Sequence, residues 1–163
     1  MALDLRPLQP TDAAASAELT RTAFLCHIAP DWQPEARERF LSETTAATLQ
    51  ADIEGACFAA GLFQGLQLVG FVLLPRPNFV RMLFIHPDHM QQGLGRQLWE
   101  AARSHLEAIH PTVATVELNA SPFARGFYGR LGFAPLSKEY AHKGGRVTRM
   151  ACWLPARQHG AEL

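Results

Sequence analysis

The sequence predicts a mixed α/β fold, a central mixed sheet of six to seven strands flanked by about four helices. Three observations lead there. Helical spacing governs the first fifty-odd residues, and short apolar runs broken by glycine take over at Cys57. An apolar strand then passes through a glycine-bearing loop into a long amphipathic helix and back into a strand. Finally, 48% of the 163 residues are hydrophobic, enough for the sizeable core such a sheet needs.

The elements follow in order. Leu3 to Leu8 alternates apolar and polar residues, as a half-buried strand does. Thr11 or Asp12 can cap a helix running through Ala13, Ala17, Leu19 and Thr20, with a loop from about Cys26 to Gln33. Pro34 suits the first turn of a second helix, and Ala46 to Ile53 reads as a third. Cys57–Phe63 and Gln67–Leu74, separated by Gln64-Gly65, form an antiparallel hairpin. Asn78–Ile85 is the next strand. Leu94, Leu98, Ala101, Ala102, His105, Leu106 and Ile109 lie on one stripe of a long helix that Pro111 ends. Val113–Leu118 is a strand, and the unit from Asn78 to Leu118 should be a parallel crossover. Pro122–Leu131 is a short helix closed by Gly132, and strands at Phe133–Leu136 and Val147–Leu154 complete the chain. One domain is expected over 1–163: helices at about 11–54, a core at about 57–133 and terminal strands at about 133–155.

Composition narrows the function. Fifteen basic residues balance fifteen acidic ones, with no basic run, so nucleic acid is not an expected partner. No apolar stretch is long enough to span a membrane. The N-terminus has an acid and a proline where a secretory leader needs an apolar run. Cys26, Cys57 and Cys152 are scattered and odd in number, which reads as reduced thiols in a cytoplasmic protein. No metal is expected. His86 and His89 lack a third ligand, and His105 and His110 are spaced poorly for one helix face.

The segment Met82 to Arg96 carries the chemistry. It runs from strand through Gly93 and Gly95 into a helix, whose first-turn N–H groups and partial positive charge make an anion site. Arg96 can add a cation at its rim. A tight strand-to-helix turn with no ligand fits the glycines equally well. The spacing is neither a dinucleotide fingerprint nor a P-loop.

This segment resembles motif A of the GCN5-related N-acetyltransferases (GNAT), [Q/R]-x-x-G-x-[G/A]. Gly93 and Gly95 match, and Met90 stands where Gln or Arg is usual. Glu117-Leu118-Asn119-Ala120-Ser121, followed by Phe127-Tyr128-Gly129-Arg130-Leu131-Gly132-Phe133, resembles motif B of the same family. The likeness is good from about Phe58 to Phe133 and implies the acyl-CoA N-acyltransferase fold with acetyl-CoA as co-substrate. It implies that Leu83, Phe84 and Ile85 offer backbone groups to a pantetheine arm. Gln91, Gln92, Gly93, Leu94, Gly95 and Arg96 would hold the pyrophosphate, and Asn119 would bind near the pantetheine or acetyl group. A distortion of the strand Met82–Ile85 would aim an N–H at the thioester oxygen. Tyr128 would be the general acid.

Two residues keep two readings. Glu117 shares a strand face with Asn119 and is either a general base or a solvated carboxylate. Tyr128 is either the acid or a packing aromatic, the motif around it favouring the acid. His27, Asp31 and Trp32 are candidates for gripping an amine, by ion pairing or by stacking, or else form a capped loop with an anchoring Trp. The expected partner is an amine on a small molecule or peptide, and a homodimer stays open. A non-catalytic CoA-sensing domain of the same fold is the rival reading.

Overall fold

The computed structural model describes residues 2–155. β1 (Leu3–Pro7) leads through a 3-10 turn into α1 (Ala13–His27). α2 (Pro34–Glu43) and α3 (Ala46–Gly55) follow, then β2 (Phe58–Gln64), β3 (Gln67–Leu74) and β4 (Met82–Ile85). α4 (Leu94–Ile109), β5 (Thr115–Ala120), α5 (Arg125–Leu131), β6 (Ala134–Pro135), β7 (Tyr140–His142) and β8 (Gly145–Trp153) complete the order. This is the predicted mixed α/β class, with eight strands and five α-helices among the described residues where six to seven and about four were expected.

The strands form two sheets. One has the order β1-β2-β3-β4, all antiparallel. The other has β8 between β5 and β6, with β7 also paired to β8. The sheets join at one point, a parallel bridge of Phe79 with Glu117. There the Val80 N–H donates to the Glu117 carbonyl and the Glu117 N–H to the Asn78 carbonyl, both at 2.9 Å. The predicted parallel crossover is therefore present, but Asn78–Arg81 serves as the joint and only Met82–Ile85 pairs as strand. Beyond the joint β4 and β5 separate, which leaves one edge of β4 without a strand partner among the described residues.

Each sheet face has its own core. Leu94, Leu98, Ala102 and Leu106 of α4 pack with Val69, Val72, Val116, Leu118 and Met150. Those four belong to the predicted stripe; of its other members Ala101 and His105 are only half-buried, and Ile109 is 61% exposed because the helix ends there. On the other face, Leu19 of α1 and Leu49 and Ile53 of α3 pack on Phe63, Phe71, Leu73 and Met82. α1 runs to His27, past the loop expected from Cys26, because Ala23 and Phe24 are still buried there. Phe24, Trp32 and Phe40 make an aromatic trio that fixes α2. No helix of the described residues is long and apolar enough to cross a membrane.

Candidate active site

The separation of β4 from β5 opens a cleft of about 610 Å³. Its walls are Leu83, Phe84 and Ile85 on one side and Ser121, Phe123, Phe127 and Tyr128 on the other. Gln91, Gly93, Leu94, Gly95 and Arg96 line it as well, at the N-terminus of α4. Most of the expected cofactor residues are thus brought together; Gln92 is exposed and is not among the lining residues.

Local sequence explains the turn into α4. Gln91 and Gly93 both lie in the left-handed region, at φ 62° and 76°. Gly93 is the N-cap and offers no side chain, so the first-turn N–H groups have no side-chain cap. A Cβ on Gly93 would meet nothing within 4 Å, so the space beside it is open. Uncapped helical N–H groups facing an open cleft suit an anion. Gly95 differs from the expectation. A Cβ there would lie 2.5 Å from the Phe127 ring, so this glycine lets α5 pack closely on α4. Arg96 donates to the Arg130 carbonyl at 3.1 Å, and both residues line the cleft. Sequence reading passed over Arg130, although it is the only cation inside the Phe127–Phe133 motif.

Tyr128 is 8% exposed, packs against Phe127 and Phe133, and still reaches the cleft. Burial pushes its pKa well above the ordinary phenol value, so the hydroxyl stays protonated. It is the packing aromatic of one reading, and it also borders the cleft, where the other reading needs it.

Glu117 and Asn119 depart from the expectation. Val116, Leu118 and Ala120 point into the core against α4, so the alternation of β5 turns Glu117 and Asn119 to the opposite face. Neither lines the cleft that holds Tyr128. Arg149 pairs with Glu117 at 3.4 Å and donates to the side-chain Oδ1 of Asn119 at 3.3 Å, and Tyr140 donates to the same Oδ1 at 3.4 Å. Met82–Ile85 itself pairs with β3 in regular register, and the irregularity lies at its start, where the Arg81 N–H also reaches the carbonyl of Leu73, the residue opposite Met82, at 3.0 Å.

The three amine-side candidates separate. His27 lines the main cleft, with its ring stacked on Phe123 at 4.2 Å and Nε2 buried without a partner. Asp31 lines a second depression of about 380 Å³ with Glu139, Tyr140 and Arg146. Trp32 is a half-buried anchoring ring, packed on Phe24 and Phe40 and lying where a Cβ on Gly145 would be 2.5 Å away.

A sheet that parts into two beside an uncapped helix N-terminus is the architecture of an acyl-CoA-type acetyltransferase, and the chain matches the family model for the acetyltransferase (GNAT) domain over residues 28–154. It belongs to the GNAT acetyltransferase family. The fold is shared with a GCN5-related N-acetyltransferase from Rhodopseudomonas palustris, at 24% identity over 94% of this chain and 97% of that one, with a TM-score of 0.81. It is shared too with the PaiA N-acetyltransferase of Thermoplasma acidophilum, solved with coenzyme A: 16% identity, 94% and 100% coverage, TM-score 0.79. The ribosomal-protein-S18-alanine N-acetyltransferase of Escherichia coli is similar at 22% identity, 99% coverage of each chain and a TM-score of 0.62. No curated protein matches the chain in sequence.

Proposed function

We propose that this protein transfers the acetyl group of acetyl-CoA to a primary amine by direct attack. The observation that carries the reading is the continuity of one cleft. It joins the open edge of β4, the uncapped N-terminus of α4 and a protonated Tyr128. The edge N–H and C=O groups of Leu83 to Ile85 suit an extended amide-bearing arm, which pairs as an added strand. The first turn of α4, with Arg96 and Arg130 at the rim, suits a pyrophosphate.

The chemistry divides among this chain's residues. Tyr128 donates a hydrogen bond to the departing sulfur. Its pKa lies above the ~8.5 of an ordinary thiol, so complete proton transfer to the thiolate is uphill and water finishes it. The amine arrives from the face bearing Glu117, Asn119 and Tyr140, opposite the helix-side cleft. Glu117 is held by Arg149, so water is the more accessible carrier for the proton that the amine loses. His27, with Nε2 unpartnered at the cleft wall, is the group best placed to touch the acetyl or amine end. Asp31 and Glu139 in the neighbouring depression give a cationic amine an acidic approach, with Arg146 paired to Glu139.

A panel of amines, including amino acids, polyamines and peptide N-termini, assayed for free CoA thiol tests the reading. At least one amine should release CoA and gain one acetyl group in the mass spectrum. Acetyl-CoA binding with no turnover across the panel favours a sensing domain instead. No binding at millimolar acetyl-CoA removes both.

A further inference from the structure

We infer that Cys57, His105 and His110 form a binding site for a thiophilic divalent cation of the Zn²⁺ type, separate from the acetyl-transfer cleft. The Cys57 sulfur lies 3.4 Å from His110 Nε2, and one ligand atom from each of the three residues falls within 4.8 Å of the others. Around a tetrahedral zinc, with bonds of about 2.3 Å to sulfur and 2.0–2.1 Å to nitrogen, adjacent ligand atoms sit about 3.3–3.6 Å apart. The Cys57–His110 pair already has that spacing, and side-chain rotation brings His105 the rest of the way. All three residues are half-buried.

Helix spacing argued against His105 and His110 because five positions put side chains well apart around an α-helix. The structure removes that objection. His110 is the residue after the last turn of α4, at φ −125° and ψ 59°, so its side chain leaves the helical path. Its ring centroid is 6.0 Å from that of His105. Cys57 immediately precedes β2, its N–H held by the Leu74 carbonyl at 2.9 Å, and so arrives from a different part of the chain. The Phe58 ring packs on His105 at 4.9 Å and covers one face of its imidazole.

The chemistry selects the ion. One thiolate and two imidazoles suit Zn²⁺ or its Co²⁺ surrogate and disfavour Mg²⁺ and Ca²⁺, which take oxygen ligands. Three protein ligands leave a fourth position for water. The negative end of the α4 dipole adds to the attraction for a cation. α4 has 16 residues, so the site lies about 24 Å along the helix from the Gly93 turn. A bound ion would tie the far end of the cofactor-side helix to the start of β2.

The test uses the full chain, stripped with chelator and titrated with Co²⁺ and then Zn²⁺. Co²⁺ should bind at one equivalent with a thiolate charge-transfer band and tetrahedral d–d bands, and Zn²⁺ should displace it. Zn²⁺ should raise the melting temperature. Cys57→Ser should abolish the charge-transfer band, and His105→Gln and His110→Gln should each weaken Zn²⁺ binding at least tenfold, while Cys26→Ser changes nothing. If Cys57→Ser melts early, the two histidine variants decide. Binding below 0.1 equivalent, or Co²⁺ bound without a thiolate band, overturns the inference. So does binding that survives all three substitutions.

Discussion

Among the described residues the Tyr128 hydroxyl makes no hydrogen bond, and its ring, packed on Phe127 and Phe133, borders the cleft. Tyr128→Phe keeps the ring and removes only the donor, so packing should survive. Turnover should fall by roughly 10²-fold, the low end for a positioned acid because the transfer is uphill. The Michaelis constant for acetyl-CoA should barely move, since the contact tightens only as sulfur departs. The same substitution has a readout without any substrate. The folded-state pKa of Tyr128 is raised, so the unfolded chain releases that proton first, near pH 10, and the wild type loses stability as pH climbs toward the folded value. Urea melts at pH 9 and pH 11 should show a larger loss for wild type than for Tyr128→Phe. Cys57 and Cys152, also raised by burial, contribute equally to both proteins and cancel in the difference. Wild-type turnover in the variant would return Tyr128 to packing alone.

At the scale of elements, the meeting of α4 and α5 shapes the cleft. Gly95 faces the Phe127 ring, so Gly95→Ala forces a methyl into a contact 2.5 Å away. Overpacking of this kind costs about 1–3 kcal/mol, against a gain of about 1 kcal/mol in helix propensity. Phe127 must shift, and it lines the cleft, so acetyl-CoA affinity should fall with stability. Phe127→Leu should rescue part of both losses, and a double-mutant cycle in chemical melts and acetyl-CoA titration measures the coupling. Additive effects would show that the two helices do not share this contact. This is also where the sequence was read imperfectly. The G-x-G pattern was legible as a strand-to-helix turn, and the two glycines differ only in what stands opposite them, which lies about thirty residues along the chain. The hairpin, the α4 stripe and the Gly132 cap were legible because each is a local periodicity or a dihedral demand: Gly132 does sit at φ 104°. The facing of Glu117 and Asn119 followed correctly from alternation, but which side faced the helix required the fold. His105 and His110 were legible as a pair and failed only on helical spacing, whereas nothing local joins Cys57 to them, because no periodicity links a strand start to a helix end.

For the whole molecule, the governing feature is two sheets joined at a single bridge. Phe79 and Glu117 hold the two sheets together, and past them no strand pairing joins β4 to β5 among the described residues. A ligand that pairs with the free edge of β4 while its phosphates sit on α4 would close this gap and tie both halves of the core. At 100 times its dissociation constant, acetyl-CoA should stabilise the fold by about 2.7 kcal/mol, which for a domain of this size is a rise of about 5–10 °C in melting temperature. Where the protection falls is more telling than its size. Amide exchange should slow at Leu83 and Ile85, whose N–H groups face away from β3, and at Leu94 to Arg96 in the uncapped first turn of α4. It should be unchanged at the opposite end of α4, near His105. Zn²⁺ should give the reverse pattern, slowing exchange at Cys57, Phe58 and the last turn of α4 and leaving the Gly93 turn as it was. If acetyl-CoA protected α4 uniformly along its length, the helix would be responding as one body, and the cleft would not be the place where the ligand makes its contacts.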